Sequence, residues 1–247
     1  MHTGGAMAEI ETTLSYNRFL PPGASAVSTL LQVRRGSDHR AQDEQLQLDL
    51  RLWTPLGGSV RSVRQVEPVR HDLTGDRAMV SEQVGVYPLA GLRSEPITYV
   101  LDIDIEPDEI GCEIRATRME LVHRGTSDVL AGGSVVVEWT DDDLLSVLID
   151  PQVAVHSGQA ELGSAIQAGV EAAKYNDTDR AAALIVAQRL ADDFGDETRR
   201  LQLSWLYTGL VHSSVTEQAG DDRQVGDDDA DTMRSADTDG PPKGVEL

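Results

Sequence analysis

The chain has 247 residues and a formal net charge of −21, from 42 acidic against 21 basic side chains. Such a surface repels phosphate backbones, which a nucleic-acid-binding protein must neutralise with Lys and Arg, so a nucleic-acid partner is excluded. No run of 18 apolar residues is present, which excludes a helical membrane span. The single cysteine, Cys112, excludes an internal disulfide framework and a multi-thiolate zinc site.

The opening segment, MHTGGAMAEIETT, has neither the basic nor the apolar region of a secretion leader. With the lone cysteine, this predicts a cytoplasmic protein. The bases are nearly all arginine; Lys174 and Lys243 are the two lysines.

Residues 12–140 read mainly as strands. Leu46, Leu48, Leu50 and Leu52 alternate with polar residues, the period-2 pattern of a half-buried strand. Ile97, Tyr99, Leu101, Ile103 and Ile105 do the same, as do Val135, Val137 and Trp139. Turn residues separate these runs at Pro21-Pro22-Gly23, Pro55 to Gly58, Thr74-Gly75-Asp76, Pro107-Asp108 and Gly132-Gly133. Short strands with one polar face each predict an antiparallel sandwich. In 111–124, Ile114 and Ala116 fall on one face and Met119 and Leu121 on the other. A bulge near Thr117 or Arg118 brings all four to one side; a strand covered on both faces is the alternative.

After Trp139 the periodicity becomes helical. Asp141-Asp142-Asp143 suits a helix start. Leu162, Ile166 and Val170 form one stripe of a helix that stops near Asn176. A second helix is predicted after an Asp177 or Thr178 cap, with Gly195 as its terminal glycine. A third runs from about Asp196 and is expected to bury Leu201, Leu203 or Trp205, and Leu206. The predicted class is therefore α+β: an antiparallel β-sandwich over 12–140, then a C-terminal three-helix bundle over 141–216. From Glu217 apolar residues nearly vanish, and 221–247 carries nine acids against Arg223, Arg234 and Lys243. An acidic disordered tail over 217–247 is expected.

No constellation in the sequence forms an enzyme motif. No His of His2, His39, His71, His123, His156 and His212 lies three or four residues from another His or from Cys112. His71-Asp72 and His156-Ser157 are adjacent pairs, and neighbours on a strand face opposite ways. Cys112 is expected to be a small buried hydrophobe. Asp141 to Asp143 and Asp227 to Asp229 lack the staggered oxygens of a dedicated cation site. Gly57-Gly58-Ser59 and Gly132-Gly133-Ser134 lack the lysine of a phosphate loop and read as hairpin turns. No catalytic, cofactor-binding or metal-ligating residue is assigned, and no cofactor.

Four segments together resemble the flanks of a bacterial von Willebrand factor A (VWA) domain protein family. They are YNRFLPPGASAV, LRLWTPLGGSVRSVRQVEPVRHDLTG, SEPITYVLDIDIEP, and VEWTDDDLLSVLIDPQVAVHSGQAELGSAIQAGVEAAKYNDTDRAA. The resemblance covers roughly residues 12–200, and the WTDD…PQVA…GQAEL…AIQ…G series is its most specific part. VWA domains hold a divalent metal through D-x-S-x-S and separate Thr and Asp ligands. This chain has no D-x-S-x-S, and 34–45 is too short for the doubly wound fold. The resemblance therefore implies a sandwich whose inserted VWA domain is missing, closed by a short loop at 34–45.

The expected function is a non-enzymatic protein–protein interaction or scaffold protein with an unidentified protein partner. The alternative is a small-molecule-binding or cryptically catalytic protein with a pocket between sandwich and helices, lined by His71, His123, His156, Cys112 or Trp139. A homo-oligomer through an exposed sheet edge is a further expectation.

Overall fold

The computed structural model describes residues 10–36, 45–93, 95–177 and 181–228, with side chains as far as His212. Eleven strands precede five α-helices in these residues. The strands are β1 (Ile10–Tyr16), β2 (Phe19–Leu20), β3 (Ala26–Arg35), β4 (Leu48–Trp53), β5 (Ser59–Glu67) and β6 (His71–Asp72). β7 (Ala78–Met79), β8 (Val84–Pro88), β9 (Ile97–Asp104), β10 (Glu113–His123) and β11 (Val129–Trp139) follow.

They form two sheets, one of order β1-β3-β9-β5-β6 and one of order β2-β11-β10-β4-β8-β7. All named pairings are antiparallel except β2 with β11. The alternation seen in the sequence places the core between the sheets. Leu48, Leu50 and Leu52 of β4 face Tyr99, Leu101 and Ile103 of β9 within one buried cluster. Burying each such side chain stabilises by about 1.5–3 kcal/mol. The chain before residues 37–44 and the chain after them share this core. β9 pairs on one side with β3 and on the other with β5.

Of the two arrangements the sequence of β10 allows, the structure has the bulge. The register against β11 shifts between Arg115 and Thr117, and Ala116, Met119 and Leu121 are all buried. Thr117 is buried as well and donates to the Trp53 carbonyl at 2.8 Å.

Gly132 and Gly133 are not a hairpin turn. Both lie inside β11, opposite Glu120 and Met119, and the turn is at Arg124 to Thr126. A Cβ on Gly132 would meet the Met119 carbonyl oxygen at 2.9 Å, and one on Gly133 would meet the Leu14 side chain at 2.6 Å. These glycines permit close approach of neighbouring strands.

The helices are α1 (Asp143–Ser146), α2 (Pro151–His156), α3 (Ala160–Lys174), α4 (Ala182–Asp193) and α5 (Glu197–Asp228). The three expected helices correspond to α3, α4 and α5. The two extra ones are short and set by capping: Asp142 accepts from Leu144 N, while Asp150 accepts from Gln152 N and Val153 N with Pro151 at the first position. Asn176 and Gly195 adopt positive φ of 51° and 71° just past the ends of α3 and α4. α4 has no side-chain cap; Thr178 lies outside the described residues.

A second buried cluster unites Val147, Leu162, Ile166, Val170, Leu184 and Leu203 across the helices. Among the described side chains of α5 the buried ones are Gln202, Leu203 and Leu210, whereas Leu201 and Trp205 are exposed by 43% and 66%. Leu201 and Trp205, four apart, share the solvent face. The α5 backbone stays helical to Asp228, so an unstructured tail does not begin at Glu217; 229–247 lie outside the described residues.

Polar contacts join the helices to the sandwich at Asn17 and join α5 to the α1 segment. Asn17 Oδ1 accepts from Asp150 N at 2.6 Å. Arg199 Nε donates to the Val147 carbonyl at 3.1 Å, and Gln202 Nε2 donates to Ser146 Oγ at 2.9 Å.

Gly132→Ala should destabilise by about 1–3 kcal/mol, because a backbone carbonyl cannot yield to the new methyl. Gly75→Ala, with open space around it, should change stability by less than about 0.5 kcal/mol. Urea unfolding of the two variants checks the contrast.

Candidate functional site

The residues singled out from the sequence do not converge. Trp139 is fully buried, and its indole donates to the Ala24 carbonyl at 2.9 Å, fixing the Pro21 to Gly23 turn against β11. His123 Nδ1 accepts from Gly125 N and Thr126 N at 3.2 and 3.3 Å, closing the β10–β11 turn. His71 is exposed, with Nε2 3.8 Å from Asp76.

Cys112 is not a buried hydrophobe. It sits half-exposed in the turn before β10, and its thiol donates to Asp108 Oδ2 at 3.2 Å. That hydrogen bond, with the nearby acidic charges, raises the thiol pKa and opposes nucleophilic use. Asp142 caps α1, and Asp143 accepts from Gln202 at 3.1 Å. Among the described residues no three His, Cys, Asp or Glu side chains are grouped to hold a metal. No described helix is long and apolar enough to cross a membrane.

Of the five residues expected in a pocket, His156 lines one between sandwich and helices. A cavity of about 260 Å³ opens between the outer face of the β1-containing sheet and α2. Its sandwich wall carries Ser28, Leu30, Arg64 and Asp102; its helical wall carries Val153 and His156. A neighbouring cavity of about 460 Å³ shares Ser28, Val153 and Ser157 and extends to Arg199 and Gln202.

Strand pairing across β3, β9 and β5 makes Asp102 the hub of the sandwich wall. It accepts from Ser28 Oγ and Ser62 Oγ at 2.6 Å each and from Arg64 at 2.8 Å. Burial alone would raise its pKa. The two hydroxyl donors and the Arg64 charge outweigh burial and hold the carboxyl below its ordinary range.

A second feature lies on the opposite side of the sandwich. On the outer face of the six-stranded sheet, Arg51, Arg115 and Arg118 surround Trp53 and a single carboxylate, Glu120, in a recess of about 270 Å³. Glu120 pairs with Arg51 at 3.2 Å and Arg118 at 2.8 Å. Arg115 is exposed and has no ionic partner among the described residues. Three guanidinium groups and one carboxylate leave this face locally positive on a strongly acidic chain. No contiguous sequence motif marks it, because β4 and β10 bring its residues together from more than sixty positions apart.

No family model matches the sequence, and comparison with curated proteins finds no match. Solved structures do resemble it. A von Willebrand factor type A protein from Catenulispora acidiphila aligns with a TM-score of 0.58 at 18% identity, covering 82% of this chain and 91% of that one. This likeness establishes a shared fold. A cohesin module from a Clostridium perfringens glycoside hydrolase aligns over 54% of this chain and 98% of its own, with a TM-score of 0.36 at 11% identity. The major pilin subunit BcpA of Bacillus cereus aligns over 53% of this chain and 41% of its own, with a TM-score of 0.35 at 10% identity.

Asp102→Asn should cost roughly 1–3 kcal/mol at neutral pH, since hydrogen bonds to a charged group are removed. A carboxyl with a depressed folded pKa stabilises above its ordinary value of 3.8 and loses that contribution as pH falls through the lowered folded value. The stability gap between native chain and variant should therefore narrow below about pH 3.8 in denaturation measured across acid pH.

Proposed function

We propose that the chain is a non-enzymatic protein-interaction module, and that the face built by Trp53, Arg51, Arg115 and Arg118 is its docking surface. The observation that carries this reading is the concentration of three arginines and a half-buried tryptophan around one carboxylate. Arg and Trp are the residue types most enriched where binding energy concentrates in protein interfaces. Guanidinium groups recognise carboxylates in fork geometry, so the fitting partner presents an acidic segment with an apolar side chain for Trp53. The absence of a VWA-type metal motif from the sequence is consistent with this role.

The finer reading is that 34–45 stands where VWA-family relatives carry an inserted domain. It rests on β3 and β5 sharing β9 across that join. It fails if the strands before and after the join open independently.

The double variant Arg115→Glu/Arg118→Glu tests the docking face. Both side chains are exposed, so the fold should be retained. In affinity purification from the native host, partners captured by the native chain and by an Arg189→Glu control should fall at least about tenfold with the double variant, a loss of about 1.4 kcal/mol or more. An identical partner set from all three chains, or no specific partner from any, contradicts the reading.

A further inference from the structure

The arginine recess carries more positive charge than its own sheet neutralises. Arg51 and Arg118 share Glu120, at 3.2 and 2.8 Å. The neighbouring acids of β4, β10 and β11 are held by other bases: Glu113 and Glu138 by Arg18, at 2.8 and 4.0 Å, and Asp49 by Arg124 at 2.8 Å. Three guanidinium groups against one carboxylate therefore leave a surplus of two positive charges beside half-buried Trp53. A fitting occupant supplies at least two carboxylates and then an apolar side chain for the indole.

Residues 227–233, DDDADTM, have that composition: four aspartates within five positions, no base among them, then Met233. A methionine thioether packs favourably on an aromatic ring. Position in the chain decides which copy the segment serves. Among the described side chains of α5 the last buried one is Leu210, while the backbone stays helical to Asp228. Those eighteen residues carry Asp228 about 27 Å past Leu210. The five residues that follow span at most about 18 Å. Asp228 is thus carried beyond the helical core, on a helix that packs against α1, α3 and α4. Such a segment is presented outward, to another molecule.

We propose that the arginine face of one copy binds residues 227–233 of a second copy. This rests on the reading of that face as a docking surface and names its occupant. The aspartates meet Arg51, Arg115 and Arg118, and Met233 lies against Trp53. Face and segment are different parts of the chain, so copies join head to tail and the contact repeats from copy to copy. The net charge of −21 opposes their approach. At about 0.15 M salt the screening length is about 8 Å, so that long-range repulsion is damped while charges in contact still attract.

Sedimentation velocity of the full chain across a wide concentration range tests this. The sedimentation coefficient should rise with concentration at about 0.15 M salt, and the association should weaken at least about tenfold at about 0.5 M. Arg115→Glu/Arg118→Glu reverses the charge of the face. Asp227→Asn/Asp228→Asn/Asp229→Asn/Asp231→Asn neutralises the segment. Each variant alone should stay monomeric. An equimolar mixture of the two should associate again and stop at a dimer, since one supplies the segment and the other the face. A native chain that is monomeric at every concentration, association that survives in either variant, or a mixture that stays monomeric overturns the proposal. A monomeric native chain whose host-partner capture still falls with Arg115→Glu/Arg118→Glu sinks the second copy as occupant and keeps the docking face. Self-association without a host partner does the reverse.

Discussion

The structure depends on β9. Its Tyr99, Leu101 and Ile103 are almost completely buried in the core, and its backbone is paired along both edges. One neighbour, β3, comes before residues 37–44; the other, β5, comes after them. A strand paired on both sides transmits order between its neighbours, because losing either ladder exposes unpaired amides and core side chains together. The strands before and after residues 37–44 therefore pair within one sheet. The polar outer face of the same three strands also builds the Asp102 network and one wall of the cleft.

The second constraint is the junction through α1 and α2. Both helices are too short to persist alone and are set by side-chain caps at Asp142 and Asp150. They occupy the space between sandwich and helical core, where Asn17, Arg199 and Gln202 satisfy their polar groups. The junction also places His156 of α2 within reach of Glu67 on β5. The arginine recess lies on the other sheet.

Much of this architecture was legible in the sequence, for a definable reason. Alternation in 46–52, 97–105 and 135–139 reports which face is buried, and the structure buries those apolar residues, Leu46 partly. A bulge is one of the two ways to accommodate the face change within 111–124, and one is present at Ala116. Gly132 and Gly133 resemble a turn in the sequence because a glycine needed for close approach looks the same there as one needed for a turn. For α5 the sequence predicts Leu201, Leu203 or Trp205, and Leu206 inside, because its apolar residues fall on two faces; packing against the other helices buries Leu203 and Leu210 and leaves Leu201 and Trp205 exposed. The cleft and the arginine face were not legible. Glu67 and His156, or Arg51 and Arg118, are joined only by strand order and helix docking.

Native-state hydrogen exchange across β3 and β5 tests the central claim, that the chain on both sides of the join is one sandwich. The account predicts that the amides of 29–33 and 63–65 exchange through a common opening with the same free energy, equal to that of global unfolding. Exchange of 29–33 through a separate, lower-energy opening, with 63–65 and 97–104 still protected, would contradict it.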